Sequence, residues 1–503
     1  LFWQFLFENG FVPRLKTEVN RKTKTPTMNN RFSISFVAAA LVFFASCKPN
    51  ESTAPSSSSA AGGKSSAVSA EKNSFNEVTA KLDQGGSLYL YLSTEQWLGG
   101  LSEKISSWRG MLDAIPDTSS SDRKNIGKVF DVVTSLVKNS GVEEVSGVGL
   151  SSISREAGIY YSKMIAHHYK GQNAGYLWSI FGKAPHALDG LDLLPEKTAL
   201  AWFSDFDLPQ LWSLVQKEVS QAGNPEIDQK LQQLPMAFQM VSGMKFDEML
   251  ASLSGEYGII VTLDTDKKIT FPVGKQSLEF PDPGLAIVIK VKNDLIFNRV
   301  DQMLKDNPQV VRVDKSDLKM RTMPVPLPLP IQLRPTLARM GDYLILASSD
   351  ALVEELVAVK TGKKKGWKSS EQFKKLSRGV PQQGNSFFLA SEKLGETIGQ
   401  LQKQALANLP QEAGIRSTWL ANMFANQKPS FSLTVSANTD SGWEITGNGS
   451  ESLSRAVLLP VAAGTVGLMA AIAIPNFVKA RETAQKNACI NNLRQLDGAT
   501  QQW

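Results

Sequence analysis

An α+β fold is predicted, with repeated strand–helix modules on mixed or antiparallel sheets and a transmembrane helix near the C-terminal end. Three observations predict it. Apolar strands followed by a polar cap and an amphipathic helix recur five times between residues 87 and 408. Polar and apolar residues alternate along those strands, which leaves one sheet face solvated and favours antiparallel or mixed pairing. Val457–Val478 is a 22-residue run without a charged side chain. About 20 residues at 1.5 Å rise cross the hydrocarbon core of a bilayer. The other reading of that run is an apolar segment buried in a protein core.

The modules follow one grammar. In Ser87–Leu92, Leu88, Leu90 and Leu92 share one face and Tyr89 and Tyr91 the other. Ser93, Thr94 and Glu95 then supply a cap and first turn, and Leu98, Leu101 and Ile105 form a helical stripe. Lys197–Phe203 leads through Ser204–Asp207 to a helix with Leu211, Leu214 and Val215. Leu285–Val291 leads through Lys292–Asp294 to a helix with Ile296, Val300 and Leu304. Asp342–Ala347 precedes the helix 351–359, and Ser386–Ala390 precedes the helix 394–408.

Further strands are expected at Gly258–Leu263, Ile269–Val273, Val310–Val313 and Leu318–Met323, with Pro272 suited to an edge. Ser430–Ala437 and Gly442–Gly447 read as a hairpin turning through Asn438–Ser441. Gly147–Leu150 reads as a turn. Pro324–Pro335 carries too many prolines for a helix or a central strand and should be an extended, polyproline-like loop. The strands are too interrupted by polar residues for a doubly wound sheet, and no glycine-rich phosphate loop accompanies them.

A chain of 503 residues can hold two or three domains. Residues 1–27 read as an upstream extension of the gene, 28–46 as a signal peptide and 47–74 as a disordered linker rich in serine and alanine. Two α+β domains are expected over 75–275 and 276–450. The transmembrane helix covers 457–478 and a helical tail 479–503. Lys479, Arg481 and Lys486 follow the apolar run while Arg455 alone precedes it, which favours a cytoplasmic tail. The net charge of +6 is spread along the chain, so nucleic acid is excluded as a partner, and Lys363–Lys365 reads as a solvated turn.

Catalytic and metal chemistry leave little trace. The chain has three histidines and two cysteines, Cys47 and Cys489, without disulfide or metal spacing. His167 and His168 are adjacent, a poor arrangement for a joint metal site, and His186 stands alone in a proline-containing loop. Asp205, Asp207 and Glu248 can be imagined as carboxylates for acid–base work, but capping and solvation explain the two aspartates better. Trp97, Trp108, Trp178, Trp202 and Trp212 suit core or interface packing, or a glycan platform. Nucleophile-elbow, zinc-protease, Walker and dinucleotide motifs are all missing. No catalytic residue, cofactor or metal is assigned.

Three segments resemble known families. Arg31, the apolar stretch Phe32–Ala45 and the sequence Phe44-Ala45-Ser46-Cys47 resemble the N-terminus of bacterial lipoproteins, which implies lipidation of Cys47. The pieces at 194–201, 254–258, 283–291 and 339–349 resemble the DUF3352 type of bacterial exported proteins, a type that implies no chemistry. Residues 467–503 resemble the N-terminal helix of type IV pilins and type II secretion pseudopilins. Together these imply a non-enzymatic, membrane-anchored envelope lipoprotein with its body in the periplasm or another extracytoplasmic space. Membrane lipid and secretion or pilus-like proteins are its implied partners. A binding module for a wall or surface polymer and an envelope enzyme are the alternatives.

Overall fold

A computed structural model describes residues 73–110, 120–223, 225–273, 276–325, 333–407 and 430–454. After the short helix Phe75–Thr79 (α1), a first unit runs from strand Leu88–Ser93 (β1) through helices Glu95–Leu98 (α2), Leu101–Arg109 (α3) and Ser120–Ser140 (α4). It ends on the hairpin of Val145–Glu156 (β2) and Ile159–His168 (β3). The two-residue strand His186–Ala187 (β4) follows. A second unit comprises Thr198–Asp205 (β5), helices Leu208–Ala222 (α5), Pro225–Ser242 (α6) and Phe246–Ser252 (α7), and the long hairpin of Leu253–Val273 (β6) and Gln276–Val291 (β7).

Helix Leu295–Met303 (α8) then leads into a meander of Val311–Lys315 (β8), Leu318–Thr322 (β9), Thr336–Met340 (β10) and Tyr343–Ala347 (β11). Helices Asp350–Lys360 (α9) and Glu371–Leu376 (α10) and the two-residue strand Gln383–Gly384 (β12) come next. A third unit closes the described chain: Ser386–Ala390 (β13), helix Glu392–Ala407 (α11), and the hairpin of Ser432–Thr439 (β14) and Gly442–Gly449 (β15).

Thirteen strands form one sheet in the order β1-β2-β3-β15-β14-β13-β5-β6-β7-β11-β10-β9-β8, while β4 and β12 pair separately. Every neighbouring pair is antiparallel. The fold is therefore α+β, and each of the five strand–helix modules is present, at β1, β5, β7, β11 and β13. Three units share one plan: a strand, a helical excursion, and a hairpin whose first strand pairs with the opening strand. The expected boundary of two domains at 275/276 falls inside this one sheet, between β6 and β7.

Local sequence explains most element ends. Asp207 Oδ1 accepts the Gln210 amide at 2.9 Å and caps α5, with Pro209 in the first turn. Ser349 and Ser370 cap α9 and α10 in the same way. The Asp440-Ser441 turn joins β14 and β15, with Thr439 opposite Gly442.

Two stretches differ from expectation. Gly258–Leu263 and Ile269–Val273 lie on the single strand β6, because a register shift between Asp264 and Lys268 lets pairing with β7 continue. Gly147–Leu150 is strand, not turn. Its glycines make room for close packing: a Cβ at Gly149 would lie 2.4 Å from Val78 of α1, and one at Gly147 2.9 Å from Tyr91. The described ends of the Pro324–Pro335 segment are paired with each other, Met323 N–H donating to Pro335 and Val325 N–H to Leu333, both at 3.0 Å.

The main core lies on one face of the sheet. Ala201, Phe203, Ile260, Val288, Ile345, Phe387, Leu389 and Val435 come from central strands, and Leu352, Val353 and Leu356 of α9 with Trp367 cover them. Phe203 and Phe387 stack with centroids 5.0 Å apart and planes 14° from parallel. Gly258 faces the Phe203 ring so closely that a Cβ would sit 2.3 Å from it. The opposite face is covered in part by Leu250 of α7 and Phe297 of α8, which pack on Leu253, Val291 and Leu344.

The expected transmembrane helix is not part of this architecture. Among the described residues no helix is long and apolar enough to cross a membrane. The longest, α4, is interrupted by charges from Asp122 to Lys138. The run Val457–Val478 lies outside the described residues, as do Cys47 and the proposed signal, linker and tail segments.

Replacing Phe387 with Ala removes half of the stacked pair at a site 1 % exposed. The expected destabilisation is about 3–5 kcal/mol, read as a lowered urea midpoint with an unchanged slope.

A charged cleft beside the central strands as the candidate functional site

The loop before β5, the first residues after β5 and the start of β6 enclose a cleft of about 470 Å³. Its lining includes Ser179, Lys183, His186, Asp205, Asp207, Ser254, Glu256, Lys290 and Lys292. Strand register brings these together. Asp205 ends β5 opposite Glu256 of β6, and Lys290 lies near the end of β7 opposite Tyr343 of β11.

On one side stands His186. Its Nε2 lies 2.9 and 3.0 Å from the two Asp205 carboxylate oxygens, and its Nδ1 is 2.8 Å from the Ala187 carbonyl. Both acceptors require an N–H, so the ring is held as an imidazolium. The hydrogen bond to Asp205 is the main reason its pKa is pushed up to about 9, burial opposing this and the Ala187 carbonyl adding to it. A ring with both nitrogens donating has no lone pair for a metal or for proton abstraction. Asn385 completes the clasp: its amide donates to Asp205 at 3.0 Å and to the Ala184 carbonyl at 2.8 Å, while its oxygen accepts the Asn438 N–H at 2.8 Å.

On the other side stands Lys290, shared by three carboxylates: Glu256 at 3.2 Å, Asp189 at 3.4 Å and Asp342 at 3.7 Å. Glu256 is the most buried of these carboxylates, its side chain 9 % exposed. Burial pushes its carboxyl pKa up, and the Lys290 charge and hydrogen bond work against that rise. Burial alone would lower the Lys290 pKa, but Glu256 and the neighbouring aspartates raise it overall. The ammonium therefore stays charged. Lys183 and Lys292 are exposed and have no ion-pair partner among the described residues.

Of the carboxylates considered from sequence, Asp205 and Asp207 both line the cleft and Glu248 does not. Asp207 is a helix cap, Asp205 serves the clasp, and Glu248 lies on α7 in an exposed pair with Lys245 at 3.0 Å. His167 and His168 sit on β3 away from the cleft. The Ser146 hydroxyl meets His167 Nδ1 at 2.7 Å, and burial first of all lowers the pKa of this ring. The His168 ring lies 4.5 Å from that of Trp178. Trp178 is buried and donates to Glu144 at 2.6 Å, and Trp212 packs edge-on to Phe246. Trp97, Trp108 and Trp202 are exposed. Lys363–Lys365 are exposed. Among the described residues no cluster of three or more His, Cys, Asp or Glu is placed to hold a metal.

Sequence reasoning missed Lys183, Asn385, Glu256, Lys290 and Lys292. A signal existed for Lys290, a lone cation inside the apolar strand Leu285–Val291. None existed for Asn385, which lies 180 residues from Asp205.

No protein-family model, curated protein or solved structure matches this chain. The three resemblances are corrected accordingly. The lipoprotein likeness rests on Arg31, the apolar stretch Phe32–Ala45 and the short sequence Phe44-Ala45-Ser46-Cys47, with Phe44 where leucine is usual. The DUF3352 likeness rests on short, degenerate pieces. The pseudopilin likeness covers under a tenth of the chain and lacks the basic leader and early glutamate of that family. The envelope-lipoprotein reading, its membrane anchoring, its secretion role and its extracytoplasmic location fall with them.

His186 gives a pH signature. A folded pKa raised to about 9 from 6.5 stabilises the fold fully below pH 6.5, and the effect is lost as pH rises through 9. Melting temperatures of the native chain and His186→Gln should differ most at pH 5–6 and converge above pH 9. A gap that does not change with pH refutes the imidazolium clasp.

Proposed function

We propose that the cleft binds a small organic anion, a carboxylate or a phosphate ester, and that the protein acts as a binding protein rather than a catalyst. Lys183 and Lys292 carry this reading. They are exposed ammonium groups lining the cleft without a carboxylate partner among the described residues, and with them the lining carries Lys183, His186, Lys290 and Lys292 against Asp205, Asp207 and Glu256. A ligand anion fills the vacant role without displacing an internal pair. The Ser254 hydroxyl, exposed on the same lining, adds a hydrogen-bond donor.

The paired groups speak against proton transfer by these side chains. Both His186 nitrogens donate to internal acceptors, and Glu256 is engaged by Lys290. General acid–base work needs a group whose proton is free to move to or from substrate. Fixed charges arranged before binding suit recognition, because the ligand need not order them.

Titration calorimetry with phosphate, citrate and small sugar phosphates tests the proposal. Binding should weaken as salt rises, and Lys183→Glu combined with Lys292→Glu should weaken it at least tenfold, about 1.4 kcal/mol. Equal binding by the variant, or none by the native chain, refutes it.

A further inference from the structure

The charged cleft is larger than a simple anion requires, and its wall is not charged throughout. A volume of about 470 Å³ is that of a small-molecule pocket. Phe206, Pro209 and Leu253 share the lining with the ammonium groups. Phe206 is half-buried and Pro209 exposed. None of these three side chains can answer a charge or a hydroxyl. A phosphate or a sugar phosphate would leave that apolar part of the wall against water, where covering it is favourable.

Phe206 also belongs to a line of rings. Its centroid lies 5.6 Å from that of Phe181 and 6.4 Å from that of Tyr257, and Phe181 lies 6.5 Å from Trp443. Aromatic rings attract one another at such distances in tilted and edge-on arrangements. Tyr257 packs on the cluster built by α7 and α8, whereas Phe181 is 40 % exposed, so the line is open at Phe181. The loop that carries Phe181 is held in place. Gly182 has a φ of +98°, and a Cβ there would sit 2.3 Å from both Asn385 Nδ2 and Asp205 Oδ2. The Gly182 carbonyl accepts the Asn438 amide at 2.8 Å, and the Ile180 carbonyl accepts the Asp207 N–H at 2.7 Å. Phe181 and Lys183 therefore flank one fixed glycine beside the cleft, an exposed ring and an ammonium group two residues apart. Groups positioned in advance need little ordering when a ligand arrives.

We propose that the ligand of this cleft is an aromatic acid, a flat ring system bearing a carboxylate or a phosphate. The acid group meets Lys183 and Lys292, and the ring lies against Phe206 at the Phe181 end of the line. This rests on the anion reading of the cleft and narrows it: ring contact, not a further ion pair, sets the preference among anions.

Titration calorimetry on the full chain, with ligands in matched sets, tests the assignment. Acetate is compared with phenylacetate and cyclohexylacetate, and inorganic phosphate with phenyl phosphate and cyclohexyl phosphate. In at least one set the phenyl ligand should bind roughly tenfold more tightly than the bare acid, and roughly threefold more tightly than the cyclohexyl ligand of similar apolar area. The set that shows this tells carboxylate from phosphate. Phe206→Ala should abolish the advantage of phenyl over the bare acid, and Phe206→Tyr should keep it. Phe181→Ala, at an exposed position, should lower that advantage at least twofold and serves as the test if Phe206→Ala does not fold. Equal affinity with and without the ring overturns this inference and leaves the anion reading standing, as does an advantage that both alanine variants retain in full. Absence of binding by every one of these anions overturns both.

Discussion

The sheet depends on β13. This five-residue strand pairs with β5 on one side and β14 on the other, and so joins two blocks made by distant parts of the chain. Phe387 and Leu389 point into the main core, and Phe387 stacks on Phe203 across the β13–β5 junction. Asn385, just before the strand, ties β5 to the loop at Ala184 and to β14 at Asn438. A buried side-chain amide with its groups matched fixes register more firmly than apolar contact alone, since a one-residue slip would leave its partners unpaired.

The cleft is a consequence of that junction. Asp205 is the last residue of β5, and the chain beyond it turns into α5. The opening left there is lined by charges that the sheet cannot bury. Two solutions are used. His186 and Asn385 close on Asp205, and Lys290 gathers Glu256, Asp189 and Asp342. Both are hydrogen-bonded pairings of partly buried ions, which is how a fold holds charge where water is scarce. Lys183 and Lys292 remain without an ion-pair partner among the described residues, and the proposed anion binding rests on them.

Local structure was legible in the sequence and long-range structure was not. Period-two alternation in Ser87–Leu92 and apolar runs at Asp342–Ala347 and Ser386–Ala390 placed three strands to within a residue, and polar caps placed the helices that follow. These signals act over a few residues. The turn reading of Gly147–Leu150 failed because only the packing of Val78 on Gly149 explains a glycine in that strand. The site was hidden for a similar reason. His186 and Asp205 are 19 residues apart and Asn385 is far downstream, so their meeting is a property of strand order. The family resemblances rested on short motifs and on composition, and no match of the whole chain supports them.

The pairing of β3 with β15 sets a timetable for synthesis. His167 must find Gly442, and Tyr160 must find Gly449. When β3 leaves the ribosome its outer partner β2 is already made, but the strand for its inner edge is encoded almost at the far end of the described chain. At about 5–20 residues per second, translation needs on the order of 15–60 s to deliver it. During that interval β3 presents open N–H and C=O groups together with Met164 and Ile165 to any other extended chain. The nascent protein therefore has a long window in which a holding chaperone, or slow local codons, would change its yield without changing its final stability.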